Sequence, residues 1–324
     1  MRTFFFFIVL LRALAAILIT NSHYAIIYPY NAIASGGLLG DVLFFAISGF
    51  CISTHGESFG KWYLRRIARI YVPVWVVTLI YSLLGFYEAH TLREFIAQWI
   101  WPTEYHFVGS IMLLYVPMYF ISQVKNFGLR KYLLVAGIVF AAQMIWYLLA
   151  YDKTYYHIDV VEEPMIRFLF FQSMLLGFYF RRNGIAEKKR SVLGLACGIL
   201  LILYFVSKVC FSKVSYISDY QILNQIVIFI LLGGGILYTG SKEQKLCEWF
   251  SGNKRINGVI KFLSDHTLEI YIVQSVLIHQ LNIGKFPINM IIVTTAIMLT
   301  ALLLKKMSQP IVNIINKKLD NEKF

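Results

Sequence analysis

The sequence predicts an all-α integral membrane protein, a bundle of about ten transmembrane helices with both termini cytoplasmic. Three observations predict it. First, of 324 residues 58% are hydrophobic and only 15% are charged, with a mean hydropathy of +0.65. A soluble domain carries about 25% charged residues. So little polar surface cannot cover a water-soluble globule of this size. A soluble enzyme, a secreted domain and a disordered chain are excluded. Second, apolar stretches of roughly 20 residues, the length that crosses a bilayer core of about 30 Å, recur along the whole chain. Third, the basic residues alternate in density between successive loops.

Ten stretches qualify or nearly so: 3–22, 38–54, 70–87, 107–122, 132–151, 165–180, 191–207, 221–240, 267–283 and 287–304. The first begins at a basic Met1-Arg2, as a signal peptide does. Arg12 interrupts its apolar run and no small-residue cleavage site follows, so it reads as a span. The second and sixth are short, which suits tilted or internally packed helices. Turn signals lie between spans, as in Ser35-Gly36-Gly37, Asn126-Phe127-Gly128, Asn183-Gly184 and Ser251-Gly252-Asn253. There is no internal repeat. The domain reading is one polytopic membrane domain over 1–306 and a short basic cytoplasmic tail over 307–324.

Charge sets the orientation. With the N-terminus inside, the inner segments hold 23 of the 30 Lys and Arg, and the outer loops hold five: Arg93, Lys153, Lys208, Lys213 and Lys285. The outer loops also hold eight carboxylates. This is the positive-inside pattern, with both ends cytoplasmic. It also accounts for the net charge of +13: the charge faces anionic lipid, and no nucleic-acid partner is expected. Cys51, Cys197, Cys210 and Cys247 are scattered, with neither a disulfide framework nor metal-ligand spacing, and no metal is expected.

Ionisable residues at membrane depth are costly and mark function. Arg12 is mid-span, too deep for easy snorkelling. His23 follows eleven residues later, about 1100° around the helix and roughly 16 Å along it, so the two share one face. Taken alone, His23 also reads as an interfacial histidine. Asp41 opens the second span, where it reads either as helix N-cap chemistry or as a group that orients His23. Arg65, Arg66 and Arg69 stand at the cytoplasmic start of the third span. Arg65 reads as an anchor. Arg66 and Arg69, at i and i+3, present two guanidiniums suited to phosphate. Arg167 reads as a local ion-pair partner of Glu162 or Glu163, and Glu269 as a partner for a basic residue.

These residues fall in blocks that resemble the membrane acyltransferase 3 family. The family signature of arginine, ten residues, then histidine matches Arg12 through His23. A glycine-led apolar segment matches Gly40-Asp41-Val42-Leu43-Phe44-Phe45-Ala46-Ile47-Ser48-Gly49-Phe50. The Arg-x-x-Arg motif before a proline matches Arg66-Ile67-Ala68-Arg69 before Pro73. A late Ser…Tyr-Leu segment is similar to Ser264 through Tyr271-Ile272. The chain departs from the family at Gln274, where a histidine often stands, and at Phe107-Val108-Gly109, which lacks the usual tryptophan after His106.

The resemblance implies transfer of an acyl group, usually acetyl, from cytoplasmic acyl-CoA to a carbohydrate hydroxyl at or beyond the outer face. It implies the stand-alone type, without a fused esterase-like domain, acting on lipid-linked sugar or surface polysaccharide. The expected setting is the bacterial inner membrane. No cofactor is expected to be held permanently; acyl-CoA is the donor substrate, and the partners are bilayer, donor and carbohydrate. On this reading Arg66 and Arg69 hold the nucleotide end of CoA. His23 is general base, oriented by Asp41, and Arg12 holds pantetheine or the oxyanion. The rival classes are a lipid-linked-sugar flippase, which predicts broken helices at matching places in two halves, and a polysaccharide polymerase, which predicts large outer loops. Gly233-Gly234-Gly235 is the one candidate break, and it has no counterpart.

Overall fold

A computed structural model describes residues 5–53, 56–100, 105–186 and 191–321. Every regular element among them is helical. In chain order these are α1 Phe6–Ser22, α2 Gly37–Phe50, α3 Phe59–Leu83, α4 Leu92–Trp99, α5 His106–Ser122, α6 Leu129–Leu149, α7 Ile166–Asn183, α8 Ser191–Lys213, α9 Ile222–Gly240, α10 Glu243–Gly252, α11 Lys254–Asp265, α12 Thr267–Gln280 and α13 Ile288–Asn321.

Each of the ten expected stretches corresponds to one helix: α1, α2, α3, α5 to α9, α12 and α13. Six segments are long and apolar enough to cross a membrane: Asn31–Phe50, Phe59–Leu83, Leu129–Leu149, Val192–Lys213, Ile222–Gly240 and Ile288–Asn321. Phe6–Ser22 and His106–Ser122 are shorter apolar helices. The protein is a helical integral membrane bundle. α4, α10 and α11 are additional short helices. α4 carries a capping box, with Thr91 Oγ1 accepting from Glu94 N and the Glu94 carboxylate accepting from Thr91 N.

Three boundaries differ from expectation, each for a local reason. α3 starts at Phe59, so Arg65, Arg66 and Arg69 lie inside it. An amphipathic, charged first half is invisible to an apolar-window criterion. α13 runs unbroken from Ile288 to Asn321, through the 306/307 boundary. α2 starts at Gly37, so Asp41 lies a full turn inside the helix and is not its N-cap. In addition, α9 passes through Gly233-Gly234-Gly235 without a break.

The chain divides into two compact units, Met1–Ala15 with Leu38–Ile52 and Val124–Lys261, and Ala16–Gly37 with Ser53–Gln123 and Phe262–Phe324. α1 belongs to the first unit up to Ala15 and to the second from Ala16.

In the first unit, α2 and α7 cross in backbone contact. A Cβ on Gly49 would sit 1.9 Å from the Met174 carbonyl oxygen, and one on Gly177 would sit 1.8 Å from that of Ala46. Small residues allow such approaches between membrane helices, where packing substitutes for the hydrophobic effect. Phe45 and Phe170 stack beside the crossing, centroids 4.1 Å apart. Buried amides are paired, as a dry interior requires. Gln172 Nε2 donates to Gln143 Oε1 at 2.8 Å, Gln143 Nε2 to Gln225 Oε1 at 2.5 Å, and Gln225 Nε2 to the Ile158 carbonyl at 2.8 Å. The first N–H groups of α1 are capped from α10: Phe6 N and Phe7 N donate to the Glu243 carboxylate at 2.7 and 2.9 Å.

In the second unit, α13 packs along α3, with α12 beside both and α5 on another side of α3. The C-terminal part of α1 and the residues that follow it are pinned to α12, α13 and the turn between them. Thr20 Oγ1 donates to Gln274 Oε1 at 2.8 Å, and the hydroxyls of Tyr24 and Thr294 are 2.8 Å apart. Asn282 Nδ2 donates to the Ile26 carbonyl at 3.1 Å. Tyr81 bridges α3 to α12 by donating to the Val273 carbonyl at 3.2 Å.

Candidate active site

Of the residues singled out by sequence, His23, Arg66 and Arg69 belong to the second unit, and Arg12 and Asp41 to the first.

His23 is the first residue past α1, with φ −87° and ψ −8°, so it continues the helical path for one residue. Its side chain is solvent-exposed. Neither ring nitrogen hydrogen-bonds a described residue. Burial, and to a lesser degree the like charge of His279, holds its pKa below the ordinary imidazole value. An exposed imidazole held toward its neutral form is suited to act as a general base.

His279 was not singled out by sequence. It lies near the C-terminal end of α12, solvent-accessible, with Nδ1 donating to the Ser275 carbonyl at 2.8 Å. A carbonyl only accepts, so Nδ1 carries a proton.

At the other end of α12, Glu269 is buried and senses the charges of Lys305, His266 and Arg69. Among the described residues Glu269 makes no ion pair, so the basic partner expected for it is not formed. Glu269 and His279 are ten residues apart on one helix, about 15 Å along its axis. α12 therefore spans from the neighbourhood of Arg69 to that of His23 within one unit.

Arg66 lies over two aromatic rings, with its guanidinium carbon 5.0 Å from the Trp62 centroid and 5.3 Å from that of Tyr115. The rings are themselves edge-to-face, and Trp62 is held by donating from Nε1 to the Ser53 carbonyl at 3.0 Å. Aromatic faces orient a guanidinium without consuming its N–H donors. Arg69 is exposed. Arg65 behaves as an anchor, with ion pairs to Glu57 at 3.3 Å and Asp320 at 2.5 Å. The sequence singled out the arginines but not Trp62 and Tyr115. An aromatic residue four positions before an arginine on a helix was the available signal for Trp62.

Arg12, half-buried in α1, donates from Nη2 to Cys51 Sγ at 3.4 Å. Asp41 is 5% exposed and makes no hydrogen bond or ion pair with a described residue. It acts electrostatically on Tyr204 of α8, in the same unit. Among the described residues no three His, Cys, Asp or Glu side chains form a group able to hold a metal ion.

No curated protein and no solved structure matches the chain. The acyltransferase 3 family model, described as an acyltransferase domain, matches residues 5–305. That match covers nearly the full sequence, including the arginine–histidine pair of α1, the arginines of α3 and the whole of α12, and the chain belongs to the acyltransferase 3 family of membrane acyltransferases.

Proposed function

We propose that the protein transfers an acyl group, acetyl in the simplest case, from cytoplasmic acyl-CoA to a hydroxyl of a lipid-linked or polymeric carbohydrate outside the membrane. The observation that carries this reading is His23: a solvent-exposed imidazole whose ring nitrogens bond no described residue, in the unit that also holds Arg66 and Arg69.

Each residue has a role. Arg66 and Arg69 bind the phosphates of CoA. The pantetheine arm threads the bundle and brings the thioester toward His23. His23 takes the proton of the acceptor hydroxyl as its oxygen attacks the thioester carbonyl carbon. The carbon–sulfur bond breaks, and the CoA thiolate leaves and takes up a proton. The orientation that serves this reaction has both termini cytoplasmic, in a bacterial inner membrane. Acetylation of an O-antigen, capsule or exopolysaccharide is the reaction class that fits.

The test uses purified protein in liposomes, radiolabelled acetyl-CoA and an extract of lipid-linked sugars from the native host. The expected result is label in base-labile sugar ester with wild type and none with His23→Ala. Failure of the wild type to bind or discharge any acyl-CoA overturns the reading and favours a lipid-linked-sugar flippase.

A further inference from the structure

In the first unit the loop between α6 and α7 holds a stacked aromatic column. His157, itself buried, stacks on Tyr155 with centroids 4.2 Å apart and on Tyr151 with centroids 4.5 Å apart, the planes within 22° and 14°. Two rings at those separations cannot share one face of an imidazole, so each tyrosine covers one face. The backbone beneath the column is fixed by the buried Gln221, the residue before α9. Its Oε1 accepts from His157 N at 3.1 Å and from Ile158 N at 3.2 Å, and its Nε2 donates to the Tyr155 carbonyl at 3.0 Å. His157 Nδ1 donates to the same carbonyl at 3.0 Å. Tyr151 is 7% exposed, whereas Tyr155 is 57% exposed. Since His157 covers one face of Tyr155, the open area is on the other side of the ring. The column therefore ends in a flat aromatic face that is exposed and already held in place.

The charges around the column decide what such a face takes. Asp152 is exposed in the turn that leads to Tyr155. Its Oδ1 accepts from Thr154 N at 2.9 Å and from Thr154 Oγ1 at 2.7 Å, while Oδ2 bonds no described residue. Glu163 Oε1 lies 3.7 Å from His157 Nε2. Lys208 is paired with Asp159, and Lys153 lies over the Tyr147 ring at 5.6 Å. An aromatic face bordered by carboxylates repels anionic lipid headgroups and phosphates. It suits a sugar ring, whose C–H groups meet the negative face of the tyrosine while its hydroxyls donate to carboxylate oxygens. We propose that Tyr155, together with Asp152, is a docking platform for an uncharged sugar ring of the acceptor. The proposal deepens the acyltransferase reading and rests on it: in the orientation given above this loop lies outside. The column supplies the affinity by preorganisation, because a ring ordered before the sugar arrives loses little freedom on binding.

The experiment uses the full protein in lipid nanodiscs and oligosaccharides released from the surface polysaccharide of the native host, separated into uncharged and acidic pools. Saturation-transfer NMR reads sugar binding with no acyl donor present. The expected result is a signal from the uncharged pool with wild type, an affinity about tenfold weaker in Tyr155→Ala, retention in Tyr155→Trp, and little signal from the acidic pool. If Tyr155→Ala does not fold, Tyr155→Leu covers His157 without offering a flat face. Equal signals from wild type and the Ala or Leu variant, or none from the uncharged pool with wild type, overturn the proposal. Broadening of the Tyr155 ring resonances by spin-labelled lipid headgroups overturns it as well, since the ring is then a membrane anchor. In the acetyl-transfer assay Tyr155→Ala should raise the KM for the uncharged pool about tenfold and leave kcat and acetyl-CoA binding unchanged; a purely structural role would lower those too. Tyr155-dependent sugar binding with no acyl transfer by wild type overturns the acyltransferase reading alone. Acyl transfer with sugar binding that ignores Tyr155 overturns the platform alone.

Discussion

The hydroxyl of Thr20 donates a 2.8 Å hydrogen bond to Oε1 of Gln274, both buried, 254 residues apart in the chain. It ties the C-terminal half of α1 to the middle of α12 about one helical turn before His23. The residue at 274 therefore has a structural use in this protein, holding in register the two helices that carry His23 and His279. Gln274→Leu should leave the Thr20 hydroxyl without its partner and cost about 1–2 kcal/mol. The double variant Thr20→Val with Gln274→Leu, with neither group left unpaired, should recover most of that loss. Unfolding in detergent mixtures, run as a double-mutant cycle, measures both.

His23→Ala should abolish transfer, by at least about 100-fold, the usual worth of a general base. Binding of acetyl-CoA should be unchanged, because the variant removes chemistry and leaves Arg66 and Arg69 in place. Isothermal titration beside the transfer assay separates the two quantities. Weakened donor binding in this variant would count against the division of labour between the two ends of α12.

The pH dependence follows from the surroundings of His23. Burial disfavours the charged imidazolium, so folded His23 holds its proton less tightly than the unfolded chain, whose ordinary value is about 6.5. Transfer should therefore stay on its plateau as pH falls to about 6.5 and decline only below it. The same sign governs stability. The contribution of neutral His23 is present above the unfolded value and is lost as pH falls through the folded one. A kcat/KM profile for donor and acceptor gives the midpoint; an acid limb above 6.5 would contradict the assignment.

The arginines of α3 should separate cleanly. Arg66→Ala and Arg69→Ala should each weaken acyl-CoA binding about tenfold or more, as loss of a charge-assisted phosphate contact does, and make it less sensitive to salt. Arg66→Lys should not fully restore it, since a lysine lacks the planar face that lies over Trp62 and Tyr115. Arg65→Ala should leave binding unchanged. Its partners Glu57 and Asp320 are partly exposed, so stability should fall by no more than about 1 kcal/mol.

Gly177→Ala should be poorly tolerated. Its Cβ would lie 1.8 Å from the Ala46 carbonyl oxygen, and the atom in the way is backbone. α2 and α7 would have to separate, at a cost of about 1–3 kcal/mol or more. Gly235→Ala, where a Cβ meets nothing within 4 Å, is the control. Yield of folded protein in detergent reports the difference.

The amino-acid sequence by itself determined where the helices lie, because the need for some 20 apolar residues is a local property that any window of the chain displays. It also determined which residues break that pattern at a cost, and Arg12, His23, Asp41, Arg66 and Arg69 are legible for that reason. The tertiary structure alone decided what surrounds them. The start of α3 at Phe59 put all three arginines inside the helix and gave Arg66 the rings of Trp62 and Tyr115 and Arg65 the carboxylates of Glu57 and Asp320. It placed Asp41 inside α2, beyond any capping role, with Tyr204 as its electrostatic neighbour. It brought His279 near enough to His23 to act on it electrostatically across 256 residues of chain. A lone histidine near a helix end has no periodicity and no motif to mark it. Its significance comes from a neighbour that only the packing of α12 against α1 supplies.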